Sequence, residues 1–111
     1  SNGTVNLYID WVNQTEKVIK KITFMVQSLN EFGNPVYCYK GNYSMYVASA
    51  SGPWKSGDGM NHEAMYWKNV WYNSSIKEVK LLRVDVEYSD GTIESITDSE
   101  KLQSLFASKN Q

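Results

Sequence analysis

The sequence predicts an all-β fold: one domain built as a sandwich of about seven antiparallel strands, with a short C-terminal helix. Three features carry this reading. Apolar residues recur at every second position in several stretches, the period at which one face of a strand turns inward. Clusters of Gly, Asn, Asp and Pro separate these stretches at short spacing, as in sandwiches and barrels. Finally, 111 residues, of which 41% are apolar and 21% charged, suffice for one core and not for two.

Each element follows from its local pattern. Val5, Leu7, Ile9 and Trp11 alternate with Asn6, Tyr8, Asp10 and Val12, a single strand over 5–12. The preceding SNG reads as a cloning remnant or a cut inside a longer chain, so 1–4 are expected to form a loose lead. NQTEK makes a polar turn. Ile22, Phe24 and Val26 continue the alternation in a second strand over 18–29. NEFGNP at 30–35 reverses the chain, because Gly, Asn and Pro supply the backbone angles a turn needs. VYCYK then reads as a third strand, and YSMYVASAS as a fourth with small residues where something packs closely. GPWKSGDGMNHE over 52–63 reads as a loop, and AMYWKNVWY over 64–72 as a strand. EVKLLRVDVEY is the clearest strand, although its apolar phase changes between Leu81 and Leu82. A β-bulge, or burial of both faces in its first half, accounts for that shift. SDG at 89–91 predicts a hairpin into TIESI. Thr97 and Glu100 have the spacing of a capping box, and Leu102, Leu105 and Phe106 share one helical face, which predicts a helix over 98–107 with Thr97 as its cap.

Aromatic residues raise the first functional question. On a strand, Trp67, Asn69 and Trp71 point the same way. They form part of a core, or an exposed stacking platform for sugars or aromatic ligands. Core is the favoured reading, because Lys68, Val70 and Tyr72 on the other face offer little to anchor the strand. Trp54 sits in the glycine-rich loop beside Lys55, Asp58 and His62, and these four are the candidate binding residues, since loops on a rigid scaffold carry much binding function. The alternative is that Trp54 folds back and plugs one end of the sandwich.

Other chemistries lack their residues. A net charge of -1, with 11 scattered Lys and Arg, gives no footprint for nucleic acid. No apolar run approaches the ~20 residues of a membrane span, so direct membrane insertion is not expected. Cys38 is the only cysteine, which excludes an internal disulfide and a Cys-based zinc site and suits a buried structural role. Asp58, Asn61, His62 and Glu63 lack the calcium-loop pattern, and one histidine cannot make HExxH. No nucleophile motif, phosphate loop or dinucleotide fingerprint stands in the chain, so neither catalysis nor a cofactor is expected. N-x-S/T triplets occur at Asn2, Asn13, Asn42 and Asn73.

The ordered stretches WVNQTEKVIKKITFMVQSLNEFGNPV, GPWKSGD and WKNVWYNSSIKEVKLLRVDVEYSDGT resemble a family of bacterial cell-envelope domains of unknown function. These are immunoglobulin-like β-sandwiches, loosely similar to FxLYD domains, although the FxLYD tetrapeptide is missing here. The resemblance spans about residues 5–92. It implies a place outside the cytoplasmic membrane, often as one module of a longer exported chain, and a structural role for Trp71. The expected function is a non-catalytic extracellular spacer or a protein- or carbohydrate-binding module, acting through the Trp54 loop or an exposed sheet edge. The alternative is an accessory or inhibitory domain acting by contact on a secreted enzyme. Oligomeric state stays open at this stage.

Overall fold

The computed structural model describes residues 4–61, 66–98, 100 and 101, and the regular elements among them are strands paired antiparallel. In chain order these are β1 (Thr4–Leu7), β2 (Trp11–Val12), β3 (Ile19–Leu29), β4 (Met45–Trp54), β5 (Gly59–Met60), β6 (Trp67–Tyr72), β7 (Glu78–Tyr88) and β8 (Ile93–Ile96). A four-stranded sheet runs β4-β3-β7-β8, and two two-stranded ribbons, β1-β6 and β2-β5, accompany it. The all-β, sandwich-like character expected from the alternation is therefore what the chain adopts.

The period-2 pattern explains which face is covered. Ile22, Phe24 and Val26 of β3, Val84, Val86 and Tyr88 of β7, Ala48 and Ala50 of β4 and Ile96 of β8 are all buried. They share one cluster with Leu7, Trp11, Val70 and Trp71 from the ribbons. Rings cross between the layers: Phe24 meets Trp11 and Trp67, each at 6.3 Å between centroids, and Tyr46 meets Trp71 at 6.1 Å. The phase change in β7 is a bulge. Met25 pairs with Arg83 but Val26 with Leu81, so Leu82 is the extra residue. The bulge returns Val79 and Leu81 to the side that Val84 and Val86 face.

Several expectations need correction. The single strand over 5–12 is two strands, because β1 pairs with β6 and β2 with β5, and 8–10 bridge the change of partner. Thr4 belongs to β1 and pairs with Tyr72, so the loose lead does not extend to it; residues 1–3 lie outside the described ones. VYCYK is not a strand. Beyond the single Leu29–Pro35 bridge, the amides of Val36, Cys38 and Tyr39 donate to Ser28, Tyr43 and Tyr72 in turn, so no ladder forms. The 52–63 loop is partly regular too, since β4 continues to Trp54 and Gly59 and Met60 form β5. Gly59 is required there: a Cβ would lie 1.9 Å from the Trp11 carbonyl oxygen, so only glycine lets β5 approach β2. Of the helix expected over 98–107, Glu100 and Lys101 are helical and the greater part lies outside the described residues. Residue 99 and residues 102–111 lie outside the described ones. Asp98, not Thr97, accepts from the amides of Glu100 (2.8 Å) and Lys101 (3.2 Å), because its carboxylate is placed to reach both free N–H groups.

Candidate functional site

Trp67 and Trp71 are not a platform. Trp71 is 0% exposed and its indole N–H donates to the Ser44 carbonyl at 3.1 Å. Trp67 packs against the core beside Phe24. Asn69, awkward between two core tryptophans, is accommodated by the backbone. It takes a left-handed conformation (φ 53°) and its amide donates to Asn6 Oδ1 at 2.9 Å. This kink breaks the alternation, so Val70 and Trp71 are both buried although adjacent.

The candidate residues around Trp54 form a cap on the scaffold. Trp54 is partly buried, edge-on to Trp11 with ring centroids 5.0 Å apart, as the plugging alternative describes. Lys55 and Asp58 close a tight turn: the Asp58 amide donates to the Lys55 carbonyl at 2.9 Å, and the Lys55 amide to the Asp58 carboxylate at 3.2 Å. Gly57 supplies the positive φ this turn needs. Both side chains are exposed, but that of Asp58 is engaged in holding the turn. Of the four candidates the structure brings Trp54, Lys55 and Asp58 together. His62 lies outside the described residues.

Asn13 anchors the cap. It is 0% exposed, its amide donates to the Asp58 carbonyl at 2.7 Å, and its carbonyl accepts from Gly57 at 2.7 Å. Its side-chain amide donates to the carbonyls of Lys17 (2.9 Å) and Trp54 (3.1 Å), while Oδ1 accepts from the Thr15 amide and hydroxyl. Asn73 repeats the device with Ser75, and its amide donates to the Tyr37 carbonyl. Asp90 repeats it with Thr92, whose hydroxyl and amide hold the Asp90 carboxyl well below the usual range, at about 2. The N-x-S/T triplets at 13 and 73 are therefore side-chain turns, with both asparagines buried.

Three exposed aromatics, Phe32, Tyr37 and Tyr39, lie at the opposite end of β4, on the 30–44 connection from β3. Asn30 Oδ1 accepts from the amides of Phe32 and Asn34 and fixes the reversal there. Ser28, buried, donates its hydroxyl to the Val36 carbonyl at 2.8 Å. Cys38 is buried and its sulfur accepts from the Tyr72 amide at 3.2 Å, so the thiol is part of the packing. Beside it the Tyr43 hydroxyl donates to the Val70 carbonyl, and burial together with its bond to Cys38 pushes its pKa up to about 12. With Val36 and Cys38 held inward, the alternating Tyr37 and Tyr39 turn outward, 53% and 79% exposed, and Phe32 is 78% exposed. Lys40 lies 4.4 Å above the Tyr72 ring.

Tyr37 and Tyr39 were readable as the outward half of the VYCYK alternation, but treating that stretch as an ordinary strand hid them. A separate groove of about 500 Å³ opens between 6–10 and Val26, Val79 and Leu81, with Tyr8 at its edge stacked on Tyr66 at 4.9 Å. Among the described residues no three His, Cys, Asp or Glu side chains are grouped to hold a metal ion. No family model matches the chain, nor does any curated protein or solved structure.

Proposed function

We propose that this chain is a non-catalytic binding module whose scaffold is an immunoglobulin-like sandwich and whose ligand is carbohydrate, taken on the 30–44 connection. The observation that carries the reading is the outward display of Phe32, Tyr37 and Tyr39 on one loop whose backbone is pinned to β3 and β6. A ring held on a pinned backbone loses little freedom on binding, and its apolar face matches the C–H face of a sugar. Neighbouring Asn34 and Asn42 are exposed amides, which suit hydroxyl-rich ligands better than a dry protein contact. Placement outside a bacterial cytoplasmic membrane rests on the resemblance of the ordered stretches between 5 and 92 to cell-envelope domains.

Affinity electrophoresis through gels containing glycol chitosan, hydroxyethyl cellulose or xylan tests this. Retardation by at least one polymer is expected, together with a loss of about tenfold in affinity for Tyr37→Ala combined with Tyr39→Ala. Trp54→Ala, at the other end of β4, should leave the retardation intact. No retardation in any gel, or retardation indifferent to both tyrosines, rejects the reading.

A further inference from the structure

β4 is the edge of the four-stranded sheet and pairs on one side only, with β3. Among the described residues no strand pairs with its other side. An open edge presents a row of free N–H and C=O groups, and sheets commonly guard such edges with charge, shortness or a bulge. The opposite edge follows that rule: β8 has four residues, and Glu94 within it is ion-paired to Lys101 at 2.8 Å. β4 is guarded only at its C-terminal end, where Pro53 and a register shift between Ser51 and Trp54 interrupt it. It is ten residues long, MYVASASGPW, it carries no charge, and Met45–Ser51 pair with β3 without irregularity. Met45 and Val47 on its outward face are 45% and 54% exposed.

We propose that this edge is an interface between two copies of the chain, in which two β4 strands pair antiparallel about a two-fold axis at Ser49 and join two four-stranded sheets into one. Over 46–52 the strand is complementary to itself in this arrangement, because the larger Tyr46 and Val47 stand before the axis and the smaller Ser51 and Gly52 after it. Tyr46 then faces Gly52 of the second copy, Val47 faces Ser51, Ala48 faces Ala50, and Ser49 faces itself. Within 46–52 no large residue meets another, and the pairing ends where Met45 faces Pro53, which has no N–H to donate. On the outward face the Thr23 and Ser49 hydroxyls already bond at 3.1 Å within one copy. The two-fold extends that row to four hydroxyls across the seam. The next row brings Lys21 and Ser51 beside Val47 and Met25 of the second copy, so no like charges are opposed.

Backbone bonds supply most of this contact and the apolar area is modest, so the dimer forms reversibly, in roughly the micromolar range. Sedimentation equilibrium of the whole chain from about 1 to 500 µM reads it. The mass should rise toward twice 12.7 kDa, and Ser49→Lys, which sets two ammonium groups against each other on the axis, should hold the protein at the monomer mass with an unchanged far-UV spectrum. Register is tested by oxidation. Ser49→Cys should cross-link to a covalent dimer, since directly opposed Cα atoms lie within disulfide reach. Ser51→Cys should not, as its copies are offset by four residues, about 13 Å. A protein that stays monomeric throughout, or a dimer that Ser49→Lys leaves intact, or cross-linking of Ser51→Cys as efficient as that of Ser49→Cys, overturns the proposal. The polysaccharide assay, run with the Ser49→Lys monomer, reads the Tyr37 and Tyr39 surface independently of this one.

Discussion

Asn13 shows how much one buried polar side chain can organise. A buried amide costs stability unless its donors and acceptor are satisfied, and here all of them are, by Thr15, Lys17 and Trp54. Its backbone also holds the turn that follows Trp54, through Gly57 and Asp58. Asn13→Ala therefore removes a donor from the partly buried carbonyls of Lys17 and Trp54, the first of which keeps the Thr15 hydroxyl, and should lower the unfolding free energy by about 1–2 kcal/mol. Urea titration measures this. Iodide quenching of tryptophan fluorescence should rise in the same variant, because Trp54 loses the bond that seats its strand end. Unchanged quenching would mean the turn is held without Asn13.

At the scale of the element, β6 depends on one kink. A regular six-residue strand would turn Val70 and Trp71 to opposite faces, leaving one of them in water. The left-handed Asn69 resets the phase so that both reach the core. Asparagine tolerates this region and a β-branched residue does not. Asn69→Val should cost about 1–2 kcal/mol, whereas Asn69→Gly should stay within about 0.5 kcal/mol of the parent. Thermal unfolding of the three proteins separates these cases. The bulge at Leu82 does the same work in β7, and there the apolar pattern announced it, because Val79 and Leu81 fall out of phase with Val84 and Val86.

At the scale of the whole molecule, stability is tied to two phenols. Burial pushes Tyr88 up to about 12, assisted by its hydroxyl bond to Glu94 at 2.9 Å, and burial does the same for Tyr43. An unfolded tyrosine ionises near 10, so between 10 and 12 the folded chain binds more protons than the unfolded one. The contribution of these phenols is complete below pH 10 and is lost as pH rises through their folded values. Unfolding free energy measured across this window should fall steeply, and Tyr88→Phe should flatten the fall. A parent curve that is level up to pH 12 would contradict the assignment. The pairing proposed for β4 would extend this scale from one four-stranded sheet to two joined ones.

Local residues determined much of this molecule. Alternation in 19–29 and 78–88 reports burial directly, since successive side chains of a strand face opposite ways. The N-x-S/T and Asp-Gly-Thr turns close through contacts two residues apart, so their geometry is also local. Pairing is not local, and that is where tertiary structure decided. VYCYK keeps the alternation of a strand, yet its amides reach three different segments and leave Tyr37 and Tyr39 as exposed rings rather than members of a sheet. Gly59 and Met60 look like loop and become strand only because Trp11 and Val12 lie beside them. Trp54 stands between Pro53 and Lys55, and Trp71 between Val70 and Tyr72. What separates a capping ring from a buried one is the layer each meets in space, a distance along the sequence that no short pattern records.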